Sequence, residues 1–105
     1  METKMDYVAL LSFRSSVTGV ERDAALVRRA GWEYPKGIRV TAEYWPMSSD
    51  VQVVSIFSTD DVAAIMEFEF EWNDVFDIDV SPAVSAEDGL RIGPDVFGRL
   101  KRLQP

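Results

Sequence analysis

Apolar and polar positions divide the chain into a short series of elements. Tyr7 to Phe13 is a near-continuous apolar run of strand length. Such a run predicts a central strand covered on both faces. Arg14 ends it, and Ser15 and Ser16 follow as loop. Thr18, with Glu21 three residues on, has the spacing of a capping box. That predicts a helix from about Gly19 to Ala30, with Val20, Ala24, Leu26 and Val27 as its apolar stripe. Glu21, Arg22, Asp23, Arg28 and Arg29 are read as facing solvent, the two arginines complementing the helix dipole before a stop at Gly31. Ile38 to Trp45 alternates, which sets Ile38, Val40, Ala42 and Tyr44 on one face and Arg39, Thr41, Glu43 and Trp45 on the other. A five-residue link leads to a second β-branched run, Val51 to Phe57, and predicts an antiparallel hairpin.

Ser58 to Asp61 has the character of a helix start, a capping residue followed by acids. From Val62 to Phe76 two periods compete. Val62, Ile65, Met66, Trp72 and Phe76 fit a helix, while Met66 to Trp72 alternates strictly as a strand would. The cap, the helix-favouring Ala63, Ala64 and glutamates, and the length of the run favour a helix over 62–76. Asp77 to Val84 is the last strand, and Pro82, which has no N–H to donate, predicts an edge position. Ala86 to Leu90 is read as a short helical turn. Gly93-Pro94 then opens an amphipathic helix with Val96, Phe97, Leu100 and Leu103 along one side. The order βαββαβ, with a helical tail over 86–105, predicts a single α+β domain of the ferredoxin-like type. Its four-stranded antiparallel sheet would carry two helices on one face. The opposite face, left open, needs a cover from a ligand, a partner sheet or the tail helix.

Composition narrows the chemistry. The net charge of −7 disfavours nucleic acid and anionic membrane surfaces as partners. The chain has no cysteine and no histidine. Disulfides, thiolate nucleophiles, the Ser-His-Asp triad, His-ligated zinc and a proximal haem ligand are therefore excluded. No cofactor or metal is expected. The N-terminal Met1 to Met5 lacks the layout of a signal peptide, and no apolar run is long enough to span a bilayer, so a cytoplasmic location is the expectation.

Phe57-Ser58-Thr59-Asp60-Asp61-Val62-Ala63-Ala64-Ile65, followed by the stretch from Glu71-Trp72-Asn73-Asp74 to Ser81-Pro82-Ala83-Val84, resembles a small uncharacterised bacterial and archaeal family. The strand ending in Phe13-Arg14 and the pair Tyr44-Trp45 are similar too, so the resemblance covers about residues 7 to 85. That family of unknown function is similar to the dimeric α+β barrel superfamily. The resemblance implies a homodimer with two four-stranded sheets packed face to face, and no particular activity.

Five groups of residues are candidate sites. Tyr44, Trp45, Trp72 and Asn73 match, by residue type, those with which cofactor-free monooxygenases of that superfamily hold an aromatic substrate; aromatic core is the plainer alternative. Arg14 has the chemistry to clamp a ligand carboxylate, or to pair with Glu43 or an aspartate. Glu67, Glu71 and Asp74 share a helix face and are read as a hard-cation site or as a solvated acidic face. Asp77 and Asp79 share a strand face, either as an acid/base pair or as interface polarity. The tail helix is a lid on the core or the partner, or a helix for another protein's groove. Together these features predict a small-molecule-binding or interaction domain acting as a homodimer, with Arg14, Tyr44, Trp45, Trp72 and Asn73 as ligand contacts. The alternatives are a cofactor-free monooxygenase or isomerase, and a purely structural dimer. An enzyme of that kind requires Tyr44, Trp45, Trp72 and Asn73 to converge on one cavity.

Overall fold

A computed structural model describes residues 4–103. The N-terminal stretch read as no signal peptide, in its first three residues, and the last two residues of the tail lie outside the described residues. The elements are β1 (Met5–Phe13), α1 (Gly19–Ala30), β2 (Arg39–Tyr44), β3 (Val53–Thr59), α2 (Val62–Trp72), β4 (Phe76–Ala83) and α3 (Ala86–Arg102). The four strands form one antiparallel sheet in the order β2-β3-β1-β4, which is the ferredoxin-like arrangement.

Local signals explain most boundaries. Thr18 caps α1 in a reciprocal box with Glu21, its hydroxyl accepting from the Glu21 N–H while the Glu21 carboxylate accepts from the Thr18 N–H. The Asp61 carboxylate accepts from the Ala63 N–H at the start of α2. Pro82 lies on the edge strand β4, where its missing N–H costs no ladder bond on the outer side.

One face of the sheet is covered by α1 and α2. Ala9, Leu11, Val53, Phe57 and Phe76 from the strands meet Ala25, Ile65, Phe68 and Trp72 from the helices in a single core. Phe68 packs edge-on to Phe57, with ring centres 6.0 Å apart, and Phe13 stacks on Phe76 at 4.8 Å. Such aromatic pairs contribute about 0.5–1.5 kcal/mol each beyond their buried area.

Four expectations change. The helix read over 62–76 stops at Trp72, because the chain must turn through 73–75 for Phe76 to pair with Phe13 in β4. On α1 the inward face is Ala25 and Arg29, while Val20 and Val27 stand in solvent. The alternation in β2 breaks at Thr41, which is left over between Val40, opposite Phe57, and Ala42, opposite Ile56. This bulge turns Glu43 to the helix-covered face and sends Ala42 and Tyr44 to the other. Finally, the short turn and the tail helix are one helix with Pro94 inside it. It is started by the Ser85 hydroxyl, which accepts from the Asp88 N–H, rather than by the proline.

α3 stands apart from the body. None of its residues is buried. The radius of gyration is 17.1 Å and the long axis 58 Å, against a radius of roughly 13 Å for a compact domain of this length.

Candidate functional site

The two surfaces of the sheet hold the buried ion pair and the open apolar face, and they are unlike each other. On the covered face, the sequence puts Arg29 one turn beyond Ala25, so helix α1 aims its guanidinium inward. Only 3% of that side chain is exposed. The Thr41 bulge brings Glu43 to meet it. Arg29 Nη2 donates to Glu43 Oε1 at 2.7 Å and Nε donates to Oε2 at 3.2 Å, a forked ion pair. Tyr34 Oη accepts from Arg29 Nη2 at 3.1 Å and donates to Glu43. Since the phenol's single proton is used there, the Ser55 hydroxyl, 2.8 Å away, is the donor to Tyr34. Trp45 Nε1 donates to Glu43 Oε2 at 2.8 Å. Around the guanidinium stand the rings of Trp32, Trp72, Tyr34 and Phe68, with centres 4.6, 4.8, 5.5 and 5.8 Å away.

The electrostatics follow from this packing. Burial alone would raise the Glu43 carboxyl, but hydrogen bonds from Arg29, Tyr34 and Trp45 outweigh it and hold the group below the usual carboxylate range. Burial, with the Glu43 hydrogen bond, pushes the Tyr34 phenol up to about 12. Both groups move away from neutrality, whereas a general acid or base works best with a pKa near the working pH. The cluster is a clamp that ties α1 to β2 across the core. Among the described residues, two buried side-chain N–H groups have no hydrogen-bonding partner: Arg29 Nη1, which lies among the aromatic faces, and Trp72 Nε1.

The candidate ligand residues are dispersed. Trp72 is fully buried in the core. Trp45 is half exposed and reaches it only through Glu43 and Arg29. Tyr44 lies on the opposite face of the sheet, across from Val54. Asn73 caps the end of α2 and offers its backbone carbonyl, not its amide, to Arg14 Nη1 at 3.1 Å. Arg14 also lies 3.7 Å from Asp77. Tyr44, Trp45, Trp72 and Asn73 thus share no single cavity. Of the three acids read as one helix face, Glu71 and Asp74 are engaged, and Asp74 lies beyond the end of α2. Asp74 forms a forked pair with Arg28 at 3.0 and 3.1 Å, and the Glu71 carboxylate accepts from Trp32 Nε1. Arg28 beside it holds the Asp74 carboxyl below its usual range. Among the described residues no group of three acidic side chains is placed to hold a metal ion.

The second surface is the open face of the sheet. Strand register arranges it in rows. Tyr44, Val54, Leu10 and Asp79 form one row from β2 to β4, and Ala42, Ile56, Val8 and Ser81 the next. Leu10 is 36% exposed and Tyr44 67%. At one end a shallow groove of about 250 Å³ is lined by Asp6, Val8, Thr41, Ile56 and the chain 83–85 that leads into α3. Asp77 and Asp79 edge this face along β4. The chain's spacing points to an open apolar face but not to the Arg29–Glu43 clamp, because Arg29 is turned inward by the aromatic rings around it and Glu43 by the bulge.

The sequence matches the family described as Domain of unknown function (DUF3303) over residues 5–97. No curated protein and no solved structure matches the chain. Among the described residues no helix is long and apolar enough to cross a membrane.

Proposed function

Because the chain belongs to the DUF3303 family, whose description assigns no activity, we propose a function from the geometry: an interaction domain that works as a homodimer through the open face of its sheet. The observation that carries this reading is the apolar double row on that face, Leu10 and Val54 beside Val8 and Ile56, with no helix of the same chain packed over it. Exposed apolar area of this kind, continuous across central strands, is characteristic of surfaces that meet a partner. A second copy is the partner that brings a matching apolar face of its own. The open face of each copy is then covered by the other, in keeping with the resemblance to dimeric α+β barrels. The groove at the end of the face then lies at the rim of the contact. There the Asp6 carboxylate and the Thr41 hydroxyl stand beside Val8 and Ile56, a setting suited to a small polar ligand.

Light scattering on the purified protein tests the reading. The expected mass is twice the 11.9 kDa of one chain, and Ile56→Asp returns it to one chain while the circular dichroism spectrum stays unchanged. A wild-type protein that remains a monomer at tens of micromolar sinks the proposal.

A further inference from the structure

The helix α3 has an unusual balance of charge and apolar surface for a terminal helix. It holds four basic residues, Arg91, Arg99, Lys101 and Arg102, and three acidic ones, Glu87, Asp88 and Asp95. The remaining chain then has seven basic residues against fifteen acidic, a net −8 beside the helix's +1. Three of the four basic residues, Arg99, Lys101 and Arg102, gather in the last turn. Val96, Phe97 and Leu100 form an apolar stripe in the C-terminal half of the helix that runs into this turn, and Phe97 is 69% exposed. The long axis of 58 Å shows that the helix reaches away from its own body.

The row Tyr44–Val54–Leu10–Asp79 on the open face has the complementary order. It runs from apolar to acidic, with Asp77 alongside Asp79 on the same face of β4. We infer that α3 of each copy is exchanged onto the other, its apolar stripe across the partner's Tyr44–Val54–Leu10 row and its basic last turn against the partner's Asp77 and Asp79. The inference rests on the homodimer proposed above and says how that dimer is held.

The dimensions fit the exchange. Four strands about 4.8 Å apart and about seven residues long present a footprint of roughly 440 Å². A helix of this length, ~25 Å by ~10 Å, covers on the order of 250 Å², more than half of the partner's face, and each copy both gives and receives one. The start of α3 is also in place, since residues 83–85 already line the groove on the open face.

The absence of cysteine makes a direct test clean. A Leu10→Cys/Leu100→Cys protein is treated with a short flexible bis-maleimide and run on a denaturing gel, with light scattering on the untreated sample. A covalent dimer as the main product, which Leu10→Cys alone does not give, is the expected result. A single-chain product with both thiols consumed means that α3 folds back on its own sheet, and overturns the exchange. A dimer by light scattering with no link between the two positions also overturns the exchange but leaves the homodimer standing. A monomer with no link removes both. Charge supplies the second measurement. Arg99→Glu/Lys101→Glu should weaken association about tenfold, and mixing it with Asp77→Lys/Asp79→Lys should restore the affinity. If both charge variants associate as tightly as wild type, the basic turn does not meet the acidic edge.

Discussion

The two faces of the sheet solve the same problem in opposite ways. The covered face buries a full charge, Arg29, and surrounds it with a carboxylate and four aromatic rings, one of them the Tyr34 phenol. The open face presents Leu10, Val54, Val8 and Ile56, with Asp77 and Asp79 along its β4 edge and Arg39 on its β2 edge. An apolar face left in water and a charge taken out of it reverse the usual distribution. The inverted charge is compensated within the chain, and the inverted apolar face is not. Stability is therefore to be sought on the first face and association on the second.

The largest expected effect breaks the first half of that contrast. Arg29→Ala leaves Glu43 half-buried without its cation and should cost about 3–5 kcal/mol in urea unfolding, a large part of the 5–15 kcal/mol typical of a domain. The paired replacement Arg29→Met/Glu43→Leu should regain most of that loss, because it removes both charges together. An unchanged urea midpoint in Arg29→Ala would show that the clamp stabilises nothing.

The next effect concerns association alone. Leu10→Asp should weaken dimerisation by at least ~30-fold, the equivalent of a hot spot worth about 2 kcal/mol. Phe70→Asp is the control. Phe70 is 67% exposed on α2, on the far side of the molecule from the open face. Its substitution should leave the dissociation constant within a factor of three by sedimentation equilibrium. Equal effects from both would mean that apolar exposure in general, and not the open face, drives association.

How much of this contrast was legible in the chain depends on what each residue's partner was. The order of elements along the chain, the hairpin, the capping box at Thr18 and the edge position of Pro82 are legible in local signals. Adjacent arginines at a helix end usually face water, so spacing alone points Arg29 outward. What turns it inward is the aromatic box assembled from Trp32, Tyr34, Phe68 and Trp72, distributed over 40 residues of sequence. Glu43 was assigned to the right strand and to the polar set of an unbroken alternation. One extra residue at Thr41 reversed which set faces inward from that point. Tyr44, Trp45, Trp72 and Asn73 were grouped by type alone, and neighbours in sequence at a strand end or helix end need not share a cavity. The stripe on α3 was visible, but what covers it is not encoded in the spacing of its own residues.

A smaller effect, on the order of 1 kcal/mol, separates the clamp's hydrogen bonds from its packing. The Tyr34 phenol is pushed up to about 12 in the folded chain, first by burial and then by its bond to Glu43. A group whose pKa is higher folded than unfolded favours the fold while protonated; that contribution is whole below its ordinary value near 10 and is lost as pH rises through 12. Partial exposure of Tyr34 reduces the contribution from the full two-unit equivalent to about 1 kcal/mol. Urea unfolding should therefore weaken between pH 10 and 12 in the wild type, and Tyr34→Phe should lose this dependence while keeping the ring among its neighbours. The acid side runs the other way. Glu43 is held below its ordinary range despite burial, so its contribution is present above about pH 4.5 and lost as pH falls through the folded value. Glu43→Gln should flatten that arm and leave the alkaline one shallower, since the phenol then donates to a neutral acceptor. If Tyr34→Phe keeps the full alkaline slope, the phenol is not the titrating group, and the covered face is held by its aromatic packing and ion pair without it.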